Sequence, residues 1–252
     1  MADTPDVAEI RPLSASSLND LMVCERRWAY GHDLDPNFVK GPPNKWLVLG
    51  TVVHSAIRLF YDGSDADAAL KDAVELAREE GGDFEFADLH AAGLFGSWLK
   101  SGIPSMWTPT VQEEEVRLEV AGVPMLGYLD ARDETMIVDW KTSTSLWDVK
   151  KKKDAWLQGT FYSMAKQIPK VRMVVMSHAG GYTTETHDFM VSSEDVQRLE
   201  AMCRVYGPRI QSKLIDDYAI NPLANNWLCG PKWCDYWTVC PGGGSRAGMP
   251  EK

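Results

Sequence analysis

A chain of 252 residues, 44% hydrophobic and 25% charged, is long enough to bury a full core. Its net charge of −10 excludes nucleic-acid binding through a uniformly basic surface, so any such role needs a local basic patch. No apolar run is long enough for a membrane span and the N-terminal sequence lacks the features of a secretory leader, so we expect a cytoplasmic protein with no membrane partner. Its five cysteines are then expected to bind metal or to be buried rather than to form disulfides.

In chain order, "SASSLNDLMVCERRWAY" predicts one helix, with serines suited to N-capping and Leu18, Leu21, Met22, Glu25 and Trp28 at helical spacing. "KWLVLGTVVHSAIRLFYDG" predicts a second, carrying Leu49, Val53, Ile57 and Phe60 and stopping at Gly63. "DADAALKDAVELAREE" and "FADLHAAGLFGSWLKS" predict two more. From about residue 111 the pattern alternates: "VQEEEVRLEV", the turn "AGVP", then "MLGYLDAR" and "TMIVDW" around a "DET" turn. A helix through "DAWLQGTFYSMAKQ" and strands through "VRMVVMSHA" and "YTTETHDFMV" follow. Ser192 and Asp195 form a capping-box pair opening a helix expected to kink at Gly207-Pro208. The last stretch, "CGPKWCDYWTVCPGGG", is too rich in Cys, Gly, Pro and aromatics for regular structure, and "PGGGSRAGMPEK" reads as a loose end. We expect one domain with a helical portion over about 14–110, a core sheet and helix over about 111–191, and a C-terminal helix and cysteine-rich segment over about 192–242.

The chemistry concentrates in the hairpin "GYLDARDETMIVDWKTSTS". Antiparallel strands at 124–132 and 136–141 bring Asp130 opposite Asp139, with Lys141 on the same strand face as Asp139. Two unpaired carboxylates at that distance repel, and one explanation of their placement is a divalent cation between them. Two hard oxygen ligands and an ammonium suit phosphodiester hydrolysis. Asp-x-Lys alone is also met in ordinary surface ion pairs.

The wider pattern resembles the PD-(D/E)xK nuclease superfamily, specifically its RecB-like branch. "GYLD…VDWKTSTS" resembles its core motif, "LGTVVHSAI" its Gly-Thr-x-x-His helix, "QGTFY" its Gln-x-x-x-Tyr helix and "SASSLNDLMVCERRWAY" its opening helix. The resemblance implies a restriction-endonuclease-like α/β fold: a mixed central sheet flanked by helices, a helical N-terminal portion and a Cys-rich C-terminal staple. It implies His54 as a metal ligand beside Asp130 and Asp139, with the Trp140 backbone carbonyl completing the coordination of Mg²⁺ or Mn²⁺. Gln158 and Tyr162 are implied to bracket the site, touching the scissile phosphate or the Lys141 region. By the same resemblance Glu115, within the run Glu113, Glu114 and Glu115, is an additional candidate. Without it, His54 reads as a hydrogen-bonded core histidine, and Gln158 with Tyr162 as an i, i+4 structural pair.

Lys150, Lys151, Lys152 and Lys153 are read as a loop that neutralises DNA phosphates, with Arg26 and Arg27 as a second basic patch. Cys24 and the trio Cys229, Cys234 and Cys240 resemble the cluster ligands of AddB-like and CRISPR-associated RecB-like exonucleases, which implies a [4Fe-4S] staple; structural Zn²⁺ is the chemical alternative. Cys203 reads as a buried thiol. The expected activity is a metal-dependent deoxyribonuclease, in exonuclease form on single strands or DNA ends, serving recombination, repair or CRISPR-type processing. With no Walker A sequence in the chain, any motor would be a helicase partner. The alternative is a non-cutting DNA-end-binding accessory subunit of a helicase–nuclease complex.

Overall fold

The computed structural model describes residues 12–32, 34–35, 44–79, 84–220, 229–231 and 234–242. Of the loose end expected over 241–252, everything beyond Gly242 lies outside them. The chain divides into two compact units, one of residues 1–40, 117–126 and 197–252, the other of 41–116 and 127–196.

The predicted opening helix is two helices, α1 (Ala15–Val23) and α2 (Glu25–Gly31). Ser14 caps α1, its hydroxyl accepting the Ser17 N–H at 3.0 Å. The break falls on Cys24, whose backbone is extended (φ −163°, ψ 113°) while its N–H still donates to Asp20 O and its carbonyl accepts from Trp28 N. Helical spacing persists across the break, so the periodicity gives no sign of it. Trp28 is buried under Ser17, to whose hydroxyl its indole N–H donates at 2.6 Å. After α8 (Ser193–Tyr206), opened by the reciprocal Ser192–Asp195 hydrogen bonds, the chain tightens at Gly207-Pro208 into a 3-10 turn (Gly207–Gln211). Gly207 is needed there because a Cβ would meet Val123 Cγ2 at 2.2 Å.

The second unit holds α3 (Lys45–Tyr61), α4 (Ala66–Glu79), α5 (Phe84–Lys100) and the short α6 (Ile103–Met106). These precede a five-stranded sheet in the order β1 (Val111–Val120), β2 (Val123–Arg132), β3 (Ile137–Ser143), β4 (Lys170–Ser177) and β5 (Thr183–Met190), with α7 (Val149–Lys166) crossing between β3 and β4. The sheet is mixed: β2 and β3 are antiparallel, β3 and β4 parallel, β4 and β5 antiparallel. The turn before β3 is set by Asp133, whose Oδ1 accepts from Thr135 N at 2.6 Å and Met136 N at 2.8 Å. Val52, Val53, Ala56 and Ile57 of α3, with Leu94, Phe95 and Trp98 of α5, form a core with Val138 and Trp140 of β3 and Val174 and Met176 of β4. Strand alternation then turns Asp139 and Lys141 to the other face, where α7 lies.

Candidate active site

The register of β2 and β3 decides where the carboxylates meet. Their ladder pairs Arg132 with Ile137 and Ala131 with Val138, then ends as Asp130 comes opposite Asp139. Beyond it, the Trp140 N–H donates to the Asp130 side chain (Oδ2, 2.7 Å) instead of to a β2 carbonyl. The N–H and C=O of one strand residue leave on the same edge, so the Trp140 carbonyl is directed toward Asp130 as well. Burial acts to raise the Asp130 carboxyl, but His54, Lys141 and the Trp140 N–H together hold it below the usual range.

Asp139 is 1% exposed. Its Oδ2 lies 2.6 Å from Lys141 Nζ, yet neither oxygen receives a well-directed hydrogen bond from a described residue. Burial lifts its pKa to about 6; Lys141 opposes that shift and the Asp130 charge adds to it. Burial works against the Lys141 ammonium, but Asp139 and Asp130 raise its pKa above the normal value, so it stays charged.

Lys141 also donates to Gln158 Oε1 at 2.8 Å. Gln158 Nε2 donates to the Tyr162 hydroxyl at 3.0 Å, and that hydroxyl donates to the Tyr128 carbonyl on β2. Gln158 and Tyr162 are thus a relay that fixes Lys141. Tyr162 itself is 2% exposed and away from solvent, with burial raising its phenol pKa. The approach of α7 that makes this possible depends on Gly127 and Gly159. A Cβ on the first would meet the rings of Phe161 and Tyr162 at 2.9 Å, and one on the second would meet Phe189 at 2.7 Å.

His54 stands on α3 with Nδ1 3.4 Å from Asp130 Oδ1 and its side chain 26% exposed. Burial lowers its pKa, but the charge and hydrogen bond of Asp130 outweigh this and leave it raised. It is therefore partnered by a site carboxylate rather than by core groups. On β1, Glu113 senses Asp130: partial desolvation and the Asp130 charge raise its carboxyl. Glu115 is exposed and accepts from the Tyr128 hydroxyl at 3.2 Å. Glu114 is tied to Arg132 (2.7 Å) and Lys166 (2.6 Å). A left-handed backbone at Glu113 (φ 51°) interrupts the strand's regular run there.

Two clustered carboxylates, one of them buried with the Lys141 ammonium beside it but no well-directed hydrogen bond from a described residue, form a donor set that suits a hard divalent cation. Among the described residues, no three His, Cys, Asp or Glu side chains are drawn close enough together to enclose a metal ion. The model of one protein family, that of the PD-(D/E)XK nuclease superfamily, matches residues 12–241 of the sequence. The chain belongs to the PD-(D/E)XK nuclease superfamily. Its hairpin, sheet and flanking helices are the restriction-endonuclease-like α/β fold of these nucleases. A solved candidate exonuclease from Eubacterium rectale shares this fold, at a TM-score of 0.62 and 13% identity, covering 100% of this chain and 96% of that one. A phage-related exonuclease from Haemophilus somnus 129PT matches more loosely, with a TM-score of 0.38 and 12% identity over 79% of this chain and 94% of that one. No curated protein matches the sequence. Magnesium or manganese is the metal PD-(D/E)XK nucleases generally use.

Lys150 to Lys153 of this nuclease are not a loop; they belong to the first turns of α7. Lysine is a good helix former, so the run continues the helix that the sequence reading started only at Asp154. Arg26 is no surface patch. It is 7% exposed, donating from Nε to Tyr218 O and from Nη1 to Asp216, each at 2.9 Å.

In the first unit, Cys24, Cys229, Cys234 and Cys240 line one pocket of about 450 Å³, including the part open to solvent, together with Tyr30, Tyr236 and Trp237. Tyr30 and Tyr236 stack at 5.1 Å, and the Tyr30 hydroxyl donates to the Val239 carbonyl at 3.2 Å. The extended backbone at Cys24 takes this residue out of the helix the sequence had suggested. None of the four cysteines is in a disulfide, and burial raises the thiol pKa of Cys234. Cys203 is apart from them, fully buried with its Sγ 3.6 Å from Met125 Sδ, and burial pushes its thiol to about 11.

Proposed function

We propose that the chain is a metal-dependent deoxyribonuclease that hydrolyses phosphodiester bonds as an exonuclease on single strands or DNA ends. The observation that carries this reading is Asp139: a buried carboxylate with undirected oxygens, opposite Asp130, at the point where the β2–β3 ladder parts. Asp130, Asp139, His54 and the Trp140 carbonyl would hold Mg²⁺ or Mn²⁺. A bound ion supplies Lewis-acid polarisation of the phosphate and lowers the pKa of the attacking water. Lys141, kept charged and aimed by Gln158, stabilises negative charge developing on the phosphate. Tyr162 keeps Gln158 in place. The test is cleavage of labelled single- and double-stranded DNA with Mn²⁺, Mg²⁺ or EDTA. Cutting that needs metal supports the reading, and binding without cutting under all three conditions would replace it by an accessory DNA-end binder.

His54→Ala should weaken Mn²⁺ binding by about 10- to 100-fold, the range for loss of groups that organise a metal site. Calorimetric titration measures this, with circular dichroism to check the fold. Unchanged affinity would leave His54 as a partner of Asp130 only.

Four lysines at the start of α7 have the wrong sign for the helix dipole, a cost that an incoming phosphate offsets. Changing all four to Gln, which keeps the helix, should weaken binding to every DNA sequence alike. It should also flatten the salt dependence by up to roughly 3 in slope for single strands. An unaltered slope in EDTA would remove these lysines from the DNA path.

The resemblance of these cysteines to the ligands of AddB-like and CRISPR-associated RecB-like exonucleases favours a [4Fe-4S] staple over zinc, and the aromatic residues lining the same pocket would shield a cluster from water. Cys24, Cys229, Cys234 and Cys240 would hold it. Trimming of DNA ends in recombination, repair or spacer acquisition, with a helicase separating strands, is the setting this chemistry fits.

A further inference from the structure

We propose that Trp46 and the rings packed with it form a stacking platform for an unpaired base of single-stranded DNA beside the nuclease site. The proposal rests on the nuclease reading above and specifies the strand form of its substrate.

Trp46 lies in the first turn of α3 and is 37% exposed, while Val48 and Leu49 just after it are core. Its indole is nevertheless fixed. The His178 ring lies parallel to it (4°, 5.2 Å between centroids) and the Phe86 ring stands edge-on (83°, 4.5 Å). His90 closes the group, 4.5 Å from Phe86 and 5.5 Å from His178, with its Nδ1 2.9 Å from the Tyr182 hydroxyl. The cluster has an unspent polar group too: His178 Nε2 is buried without a hydrogen-bond partner among the described residues. Lys45, exposed, holds its ammonium 4.4 Å from the Phe86 centroid and 5.7 Å from that of Trp46. An exposed, braced aromatic beside a cation suits a nucleotide, the ring taking the base and the ammonium its phosphate.

Two backbone paths put this platform near the proposed chemistry. Along α3, Trp46 precedes His54 by eight residues, about 12 Å of helix rise. Along β3, the His178 N–H donates to the carbonyl of Ser143 at 3.3 Å, only two residues past Lys141, or about 7 Å of strand. A strand whose phosphate reaches Asp139 and Lys141 therefore has a base within reach of Trp46. A duplex offers no free base face here, because its bases stack on each other. The platform selects the single strand.

The test measures binding of a fluorescein-labelled oligonucleotide, single-stranded or as a blunt duplex of the same sequence, in EDTA so that nothing is cut. Trp46→Ala should weaken single-strand binding about 10-fold and leave the duplex within about 2-fold. Trp46→Phe keeps a ring and should recover most of the affinity. It should also show less DNA-induced quenching of protein fluorescence than the wild type. Thermal unfolding of both variants controls for folding. Equal losses on both DNA forms, no loss on either, or Trp46→Phe binding as weakly as Trp46→Ala would each overturn the platform. Cleavage is read separately. A protein that cuts with Mn²⁺ but shows no Trp46 effect refutes the platform alone; one that binds single strands through Trp46 but never cuts refutes the nuclease reading and supports the platform.

Discussion

Asp139→Asn should lower metal-dependent DNA cleavage by at least about 10³-fold while the protein stays folded, and Asp130→Asn and Lys141→Met should do the same. The three groups surround one point: Asp139 is 2.6 Å from Lys141, and Asp130 shares the parted end of the β2–β3 ladder with Asp139. Removing any of them disables the same step, so a double variant should be scarcely slower than the worse single. Single variants that remain active, with losses that multiply in combination, would mean that the residues do not form one site. Asp139 also sets a pH dependence. Its metal-free pKa is raised to about 6, and only the ionised carboxylate can ligate a cation. Protons therefore compete with the metal. Mn²⁺ affinity should fall as pH drops from about 7 to about 5, approaching tenfold per unit at the acid end. Asp139→Asn should lose that component, and calorimetric titration at the two pH values measures both.

Anaerobically purified protein should be brown and carry roughly four iron atoms and four acid-labile sulfides per chain, as a four-thiolate cubane requires. Changing any one of Cys24, Cys229, Cys234 or Cys240 to Ser should bleach it and lower its thermal stability. The reason is topological: Cys24 and the trio are about two hundred residues apart in sequence, yet line one pocket, so a shared group would cross-link the ends of the chain. Cys203→Ala should keep the colour at a cost of about 1 kcal/mol in stability, since its thiol packs on Met125 away from that pocket. Colourless protein containing one zinc ion per chain would assign the pocket to zinc. The nuclease proposal would be untouched by that result.

Legible in the sequence alone were the hairpin, the succession of the main helices and strands, and the placing of Asp130 opposite Asp139, because each follows from short-range rules. Alternation fixes which strand residues share a face, and the Asp133 turn fixes the register a few residues away. The family was legible for the same reason, since its motifs lie on single elements. Tertiary structure decided what each motif residue touches. His54 alone reads as a core histidine until α3 is packed against β3 and its ring meets Asp130. Gln158 and Tyr162 are an i, i+4 pair in any helix; only the close approach permitted at Gly127 makes them the support of Lys141. The break at Cys24 and the left-handed Glu113 were invisible because both residues have side chains compatible with the regular pattern around them. Trp46 was one of ten tryptophans in composition. Its exposure, its parallel histidine and the link of that histidine to the end of β3 depend on contacts among α3, α5 and the end of β4, which no local pattern encodes.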